Sequence, residues 1–114
     1  MRVLLTGGGG FLGAAIIKRL LGRNIEVRVL DANDSRDLGY RVVGSAMRKV
    51  EWHIGNVSDA MDVLAAAQDC DGIVHLAGVL TPFCQKDPLA GAMINVIGTL
   101  NVFEAAKRYG ICKV

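Results

Sequence analysis

The stretch that decides the fold is Val3-Leu4-Leu5-Thr6-Gly7-Gly8-Gly9-Gly10-Phe11-Leu12-Gly13. Its opening apolar run stops at glycines, which is typical of a short buried strand. From Phe11 to Leu20 apolar residues recur at helical spacing, and Gly22 stands where such a helix would end. The segment therefore predicts a strand, a tight glycine-rich turn and a helix in immediate succession.

Three of these glycines stand directly between the predicted strand and the predicted helix, which is the context of a dinucleotide-binding turn. Gly7 would let the chain turn sharply, Gly10 would let the backbone approach a pyrophosphate, and Gly13 would let the helix pack on the strand. The helix N-terminus then offers free N–H groups to the phosphates. A run of glycines is also compatible with a loose turn, but the flanking strand and helix favour the phosphate-binding interpretation. No Gly-Lys-Ser/Thr follows, which excludes a Walker-type loop.

A carboxylate at the end of the next predicted strand indicates which nucleotide would bind. Asp31 lies 18 residues after Gly13, where it can accept hydrogen bonds from the adenosine ribose hydroxyls. The same charge would repel the 2′-phosphate of NADP, so the sequence favours NAD over NADP. Two alternatives stay open: Asp31 is an ordinary strand-end aspartate, or Arg36 swings inward and favours NADP.

Strand-like and helix-like segments alternate through the rest of the chain. The segment 32–49 is polar and predicts a loop with one or two irregular helical turns, and Ser58 is the expected N-cap of the following helix. The pattern predicts an α/β fold, a Rossmann-type doubly wound parallel sheet with strand order 3-2-1-4. Strands are expected at 25–30, 50–54 and 73–76, and helices at 58–68 and from Pro88 to about Gly110, the last with an apolar face of Leu89, Met93, Val96, Leu100 and Phe103.

The last residues, Ile111 to Val114, have the pattern of a fifth strand cut off at its start. A parallel sheet that ended at its fourth strand would expose a long apolar edge. We therefore expect residues 1–114 to be the N-terminal, cofactor-binding portion of a domain whose remainder is not included here. The alternatives are a compact natural mini-domain and a chain completed by a partner.

Composition restricts the class of protein further. The chain has 114 residues, 52% of them hydrophobic, and a formal net charge of +2, which gives no reason to expect a nucleic-acid partner. The three cysteines are widely spaced, so neither a disulfide framework nor a zinc site is expected. No signal peptide is recognisable and no stretch approaches the ~20 apolar residues of a membrane span. A cytoplasmic protein without a membrane partner is the expectation.

Four motifs in order along the chain resemble the N-terminal part of the extended short-chain dehydrogenase/reductase family, in its NAD-dependent epimerase/dehydratase group. They are TGGGGFLG at 6–13, GNVSD at 55–59, HLAG at 75–78 and NVIGTLNVFEAA at 95–106. The resemblance implies hydride transfer between a sugar or nucleotide-sugar carbon and NAD, ending in epimerisation, dehydration or dehydrogenation. It also implies a homodimer formed through helices, one of which contains 95–106.

The same resemblance implies roles for individual residues. Phe11 and Leu12 would lie at the pyrophosphate through their backbone, and Asn56, in place of the family's common aspartate, would line the adenine with Val57. Thr81 would touch substrate, although a loop threonine is also a common turn former. The remaining residues implied at the cofactor are Leu76, Ala77 and Gly78, under the nicotinamide ribose, and Asn95, on the long helix.

Catalysis in this family depends on a tyrosine and a lysine four residues apart, with a serine or threonine upstream. Tyr109 and Lys113 have this spacing, but Gly110 would break the helix between them, so we reject the pair. The catalytic residues are expected beyond Val114. His75 is expected to be a packing or outward-facing residue, because no second ligand stands at metal spacing.

Two alternatives to an enzyme remain open at this stage. One is a non-catalytic, redox-sensing module of the same fold. The other is an isolated fragment that binds nothing stably.

Overall fold

The computed structural model describes all 114 residues. Four strands alternate with helices, and a 3₁₀ segment, Gly44–Lys49, follows the second helix. The strands are β1 (Arg2–Thr6), β2 (Glu26–Asp31), β3 (Glu51–Ile54) and β4 (Gly72–His75). The helices are α1 (Phe11–Leu21), α2 (Asp37–Val43), α3 (Ala60–Ala67), α4 (Thr81–Lys86), α5 (Pro88–Ala92) and α6 (Gly98–Tyr109), with a π-helical turn, Met93–Ile97, between the last two.

The four strands form one parallel sheet in the order β3-β2-β1-β4, which confirms the predicted order. Thr6 pairs with Leu30 on one side and with His75 on the other, and Asp31 pairs with Ile54. All four strands therefore end at the same edge. The loops that follow them meet there, as expected for the ligand-binding edge of such a sheet.

Helices pack on both faces of the sheet, and each face has its own apolar cluster. Leu4, Leu30 and Ile73 face α3 and α6, where the cluster includes Val63, Val102 and Ala105. The other face brings Leu5, Val27 and Val29 against Ile17 and Met47. The alternation of neighbouring residues between two buried faces is the doubly wound arrangement that the sequence predicted.

The region between β2 and β4 differs from the sequence prediction in two respects. Segment 32–49 forms a helix and a 3₁₀ segment instead of a loop with isolated turns, since Met47 anchors it in the core at 2% exposure. The N-cap of α3 is Asp59, whose carboxylate accepts from the Met61 N–H at 2.9 Å. Ser58 instead donates its hydroxyl to the Asn56 side chain at 2.8 Å, so its prediction as N-cap was wrong.

We call α5, the π turn and α6 together the long helix, Pro88–Tyr109. Its most apolar residues do not face the core as expected: Val96, Leu100 and Phe103 are 54–56% exposed. Smaller residues of α6 face the core instead, namely Gly98, Val102, Ala105 and Ala106, and a Cβ on Gly98 would lie 2.7 Å from Val57 in the loop after β3. The long helix thus presents an exposed apolar face, made up of Leu89, Met93, Val96, Ile97, Leu100 and Phe103.

By length and composition the long helix could also span a membrane. It has 22 residues, and its most apolar window has a mean hydropathy of 1.4 and is 28% buried. The expectation that no stretch approaches the ~20 apolar residues of a membrane span was therefore wrong for this helix, whose charged residues lie near its end. One such helix is weak evidence for a membrane, since the core helices of soluble proteins can have the same length and apolar composition. The absence of a membrane partner and the cytoplasmic location stay predictions.

The chain ends beside β4. Gly110 adopts a left-handed conformation (φ 67°) and ends the long helix, so Tyr109 and Lys113 do not share a helical face. This confirms that Gly110 breaks the helix between them, which was the reason for rejecting the pair. Residues 111–114 form no regular strand, but the Lys113 carbonyl accepts from the Ile73 N–H at 2.9 Å. The final residues therefore begin to pair with β4, where a fifth strand was expected.

Candidate cofactor-binding site

A cavity of ≈ 420 Å³ opens at the carboxyl edge of the sheet. Every connecting loop that leaves this edge contributes to its wall, because the strands end in register there. Eight residues predicted from the sequence line it: Gly7, Gly10, Asp31, Asn56, Val57, Leu76, Ala77 and Gly78. Six more were not predicted, namely Leu30, Ala32, Asn33, Gly55, Val79 and Ile94.

The three glycines of the turn differ in how much space surrounds them. Gly7 has φ 68°, and a Cβ there would lie 2.7 Å from the Ala77 nitrogen. A Cβ on Gly13 would collide with the Gly8 carbonyl, so this glycine lets α1 pack against the turn. In front of Gly10 nothing lies within 4 Å of an added Cβ. The space that a phosphate would need is therefore open only at the middle glycine of the motif.

The N-terminus of α1 faces this space without a competing group. Its N-cap, Gly10, provides no side chain, and the first turn contains no acidic residue. Free N–H groups and the partial positive charge of the helix are therefore directed at the cavity, as in phosphate sites of this kind. Phe11 and Leu12 are exposed, at 77% and 58%, and their contact with the pyrophosphate through the backbone stays a prediction.

Asp31, the last residue of β2, lies beside the glycine turn and is half-buried in the cavity wall. Its carboxylate accepts from the Gly9 N–H at 2.9 Å and from the Asn33 N–H at 3.2 Å. These two bonds fix the carboxylate, and its remaining lone pairs are available to ribose hydroxyls. The geometry is that expected of the residue that recognises the adenosine ribose.

Asn56 and Val57 line the cavity beyond β3. The Asn56 side-chain oxygen already accepts from Ser58, from the N–H at 3.0 Å and from the hydroxyl at 2.8 Å. The amide N–H₂ of Asn56 is therefore the side-chain group left for an adenine edge, a narrower role than an amide that both donates and accepts. Adenine contact by these two residues stays a prediction.

The loop after β4 forms the other end of the cavity, and Asn95 holds it in place. The Val79 N–H donates to Asn95 Oδ1 at 2.8 Å, and Asn95 Nδ2 donates to the Val79 carbonyl at 2.9 Å. The amide is thus used on the loop and does not line the cavity, so any role in cofactor binding acts through Val79. Thr81 is an exposed residue at the start of α4, and its contact with substrate stays a prediction.

A partly buried hydrogen-bond chain that begins at the buried Thr6 was not predicted from the sequence. Thr6 Oγ1 accepts from the Leu76 and Ala77 N–H groups, each at 3.2 Å, and lies 2.6 Å from His75 Nδ1. His75 Nε2 lies 3.1 Å from Thr99 Oγ1, which donates to the Asn95 carbonyl. Because the Thr6 oxygen already accepts twice, we infer that its hydroxyl donates to Nδ1, leaving His75 neutral with its proton on Nε2. His75 is therefore neither simply packed nor outward-facing.

This arrangement predicts a pH dependence of stability. Burial lowers the pKa of His75 below 6.5, its value in an unfolded chain. The unfolded state thus binds the proton more readily, and the stability that neutral His75 provides is complete above about pH 6.5 and lost as the pH falls through the folded-state pKa. Urea unfolding between about pH 5 and about pH 7.5 should show a slope of at most ~1.4 kcal/mol per pH unit from this residue.

The matched pair of variants is His75→Gln and His53→Gln. His53 is a partly exposed histidine that bonds Glu51 at 2.7 Å. His75→Gln should reduce the fall in unfolding free energy as the pH is lowered, whereas His53→Gln should retain the contribution of His75 to this fall. An unchanged fall in His75→Gln would show that this histidine does not cause it.

The glycine turn, the uncapped helix terminus and the strand-end carboxylate together define a dinucleotide-binding domain of the Rossmann type. The 3-beta hydroxysteroid dehydrogenase/isomerase family matches residues 4–114. The chain therefore belongs to this family, one of the extended short-chain dehydrogenases/reductases of epimerase/dehydratase type, which confirms the resemblance seen in the sequence.

Known proteins of this kind match nearly the whole chain. The 3 beta-hydroxysteroid dehydrogenase type 7 of Mus musculus is 36% identical over 110 residues, which are 94% of this chain and 29% of that protein. The structure of Thermus thermophilus UDP-glucose 4-epimerase with NAD superposes with a TM-score of 0.80 and 32% identity, covering 97% of this chain and 35% of that one. The structure of DesIV, a dTDP-glucose 4,6-dehydratase from Streptomyces venezuelae with NAD and TYD bound, superposes with a TM-score of 0.82 and 27% identity. The match covers 97% of this chain and 37% of that one. This chain spans about a third of the length of these proteins.

Proposed function

We propose that this chain binds NAD and supplies the cofactor-binding part of an enzyme that acts on a sugar or nucleotide sugar. This proposal depends on one observation: the open space at Gly10, the Asp31 carboxylate and the loop after β4 all line the same cavity. The two solved relatives described above hold NAD, which supports the assignment of the cofactor. Bound in this cavity, NAD would supply a hydride acceptor for a hydroxyl-bearing carbon of the substrate.

Each part of the cavity has a separate task in this proposal. The N-terminus of α1 neutralises charge on the pyrophosphate, and Asp31 binds the ribose hydroxyls and disfavours a 2′-phosphate. The loop 76–79, fixed by Asn95, shapes the end of the cavity where the nicotinamide would lie. The proton of the substrate hydroxyl would be removed by a tyrosine with a neighbouring lysine, which we expect beyond Val114.

The named relatives act as a dehydrogenase, an epimerase and a dehydratase, which favours an enzyme over a redox-sensing module. The test uses a protein that contains this chain together with its catalytic portion, supplied with NAD and with UDP-glucose, dTDP-glucose, a free uronic acid or a 3β-hydroxysteroid. We expect turnover of a sugar, seen as a sugar product or as reduced nicotinamide. Turnover of the steroid alone would contradict the proposed sugar substrate and indicate a steroid instead. NAD binding without any turnover would favour the non-catalytic module.

We further propose that the exposed apolar face of the long helix forms a homodimer. Six large apolar side chains share this face, from Leu89 to Phe103, and helices with such a stripe are buried against a partner. A second copy is the occupant that the resemblance stated in the sequence analysis implies. Sedimentation should give a dimer for the unmodified protein and a monomer for Leu100→Glu, with Met61→Glu, on an exposed site of α3, as the control. A monomer in the unmodified protein at micromolar concentration would contradict the proposal.

A further inference from the structure

The loop that follows β2 wraps around the Asp31 carboxylate. Asn33 donates its N–H to Asp31, and its carbonyl accepts from Trp52 Nε1 at 3.3 Å, which ties the loop to β3. Ser35 packs on the glycine turn, because a Cβ added to Gly9 would lie 2.6 Å from the Ser35 Cβ. The loop is therefore held beside the two elements that would surround the adenosine ribose.

The same loop contains an ion pair between two of its own residues, Arg36 and Asp34. Arg36 Nε donates to Asp34 Oδ1 at 2.6 Å, and Arg36 Nη2 donates to Asp34 Oδ2 at 2.7 Å. This is the bidentate geometry in which a guanidinium recognises a carboxylate or a phosphate. The hydrogen bond from Arg36 holds the pKa of Asp34 below its ordinary value, so the pair stays charged at neutral pH.

We propose that Asp34 is a specificity-determining residue for the cofactor: its bidentate pair withholds Arg36 from the 2′-phosphate of NADP. This inference rests on the proposed binding of NAD in the cavity. The preference for NAD then depends on two carboxylates with different tasks. Asp31 binds the ribose hydroxyls, whereas Asp34 occupies the guanidinium of Arg36, in the loop that wraps around the Asp31 carboxylate.

Competition between two anions sets the size of the effect. Arg36 and Asp34 are 43% and 47% exposed, and an exposed pair of this kind is weak. A 2′-phosphate would offer the guanidinium a more highly charged bidentate partner. Removal of the Asp34 charge therefore acts twice, because it frees Arg36 and takes away a repulsive group, while Asp31 continues to oppose the phosphate.

The test measures the dissociation constants of NAD and NADP for the 114-residue chain by calorimetric titration at low salt. Asp34→Asn should shift the ratio of NADP to NAD affinity by about three- to ten-fold toward NADP. The matched control is Asp37→Asn, which removes the same charge from an exposed residue at the start of α2 and should shift the ratio by less than about two-fold. In Asp34→Asn/Arg36→Gln most of the gain should be lost.

The possible results of these titrations distinguish failure of the Asp34 proposal from failure of the NAD site. An equal ratio in Asp34→Asn and Asp37→Asn would overturn the proposal, and so would a double variant that keeps the whole gain, since Arg36 would not then receive the phosphate. If the unmodified chain bound neither nucleotide, the cofactor site and this inference would fail together. Binding of NAD with no shift in Asp34→Asn would contradict this inference alone.

Discussion

Replacement of Gly10 by valine is expected to weaken NAD binding by at least about 100-fold, or ~2.8 kcal/mol, without loss of the fold. Gly10 has φ −84° and ψ 177°, a conformation that any residue adopts, and an added Cβ meets no protein atom. The valine side chain would therefore project into the space assigned to the pyrophosphate and keep it from the N-terminus of α1. Calorimetric titration with NAD measures the loss, and thermal unfolding without NAD measures the fold.

Two other glycines serve as controls for this experiment. Gly22→Ala alters the far end of α1, where a Cβ meets only helix carbonyls at 3.3 Å or more, and should leave NAD affinity unchanged. Gly7→Val should destabilise the fold itself, because Gly7 has a left-handed conformation and abuts the Ala77 backbone. If Gly10→Val bound NAD as tightly as the unmodified chain, the pyrophosphate would not lie at this turn.

Replacement of Arg28 by methionine is expected to destabilise the protein by about 2–4 kcal/mol. This arginine is 8% exposed on β2 and donates through Nη1 to the carbonyls of Ala66 and Gln68, at 2.9 and 2.7 Å. It thereby caps the C-terminal end of α3, where a positive charge is favourable. Methionine would fill a similar volume but would leave the Gln68 carbonyl without its donor and the Ala66 carbonyl with only the Cys70 thiol, at 3.5 Å. Equilibrium unfolding in urea measures the loss.

The chain offers a matched comparison for Arg28, because Arg2 makes an equivalent ion pair at the surface. Arg2 binds Glu26 across β1 and β2 at 2.8 Å, and Arg28 binds Glu51 across β2 and β3 at 2.9 Å. Arg2→Met should leave the unfolding midpoint within experimental error, since exposed pairs contribute little. Glu51→Gln should have a smaller effect than Arg28→Met, because the carbonyl contacts remain. Equal effects of Arg28→Met and Arg2→Met would show that the buried carbonyl contacts do not stabilise α3.

Local patterns predicted the sheet well, because they depend on neighbours in the sequence. Glycines between an apolar run and a helical repeat indicated the first turn, and the alternation of strands with helices indicated the order β3-β2-β1-β4. Asp31 could be assigned from its position at a strand end. Most of the residues expected to surround the cofactor line one cavity for the same reason: each ends or follows a strand of the common edge.

Other features depended on packing that no local pattern contains. The apolar face of the long helix was expected to face the core, yet the buried residues of α6 are Gly98, Val102, Ala105 and Ala106. Asn95 was expected at the cofactor, and only the position of Val79, distant in sequence, shows that its amide is already used. The burial of Arg28 likewise depends on where α3 ends.

The position of β1 at the centre of the sheet has a consequence for how the domain folds. Thr6 reaches His75 across 69 residues of sequence, and the glycine turn that follows Thr6 meets the loop after β4 across nearly the same interval. Such non-local closure is entropically costly, and the cavity is complete only when all four strands are assembled, because the loops after each of them form its wall. Any ligand of this cavity must therefore stabilise the whole cooperative unit, and saturating NAD should raise the global unfolding free energy instead of protecting one segment from hydrogen exchange.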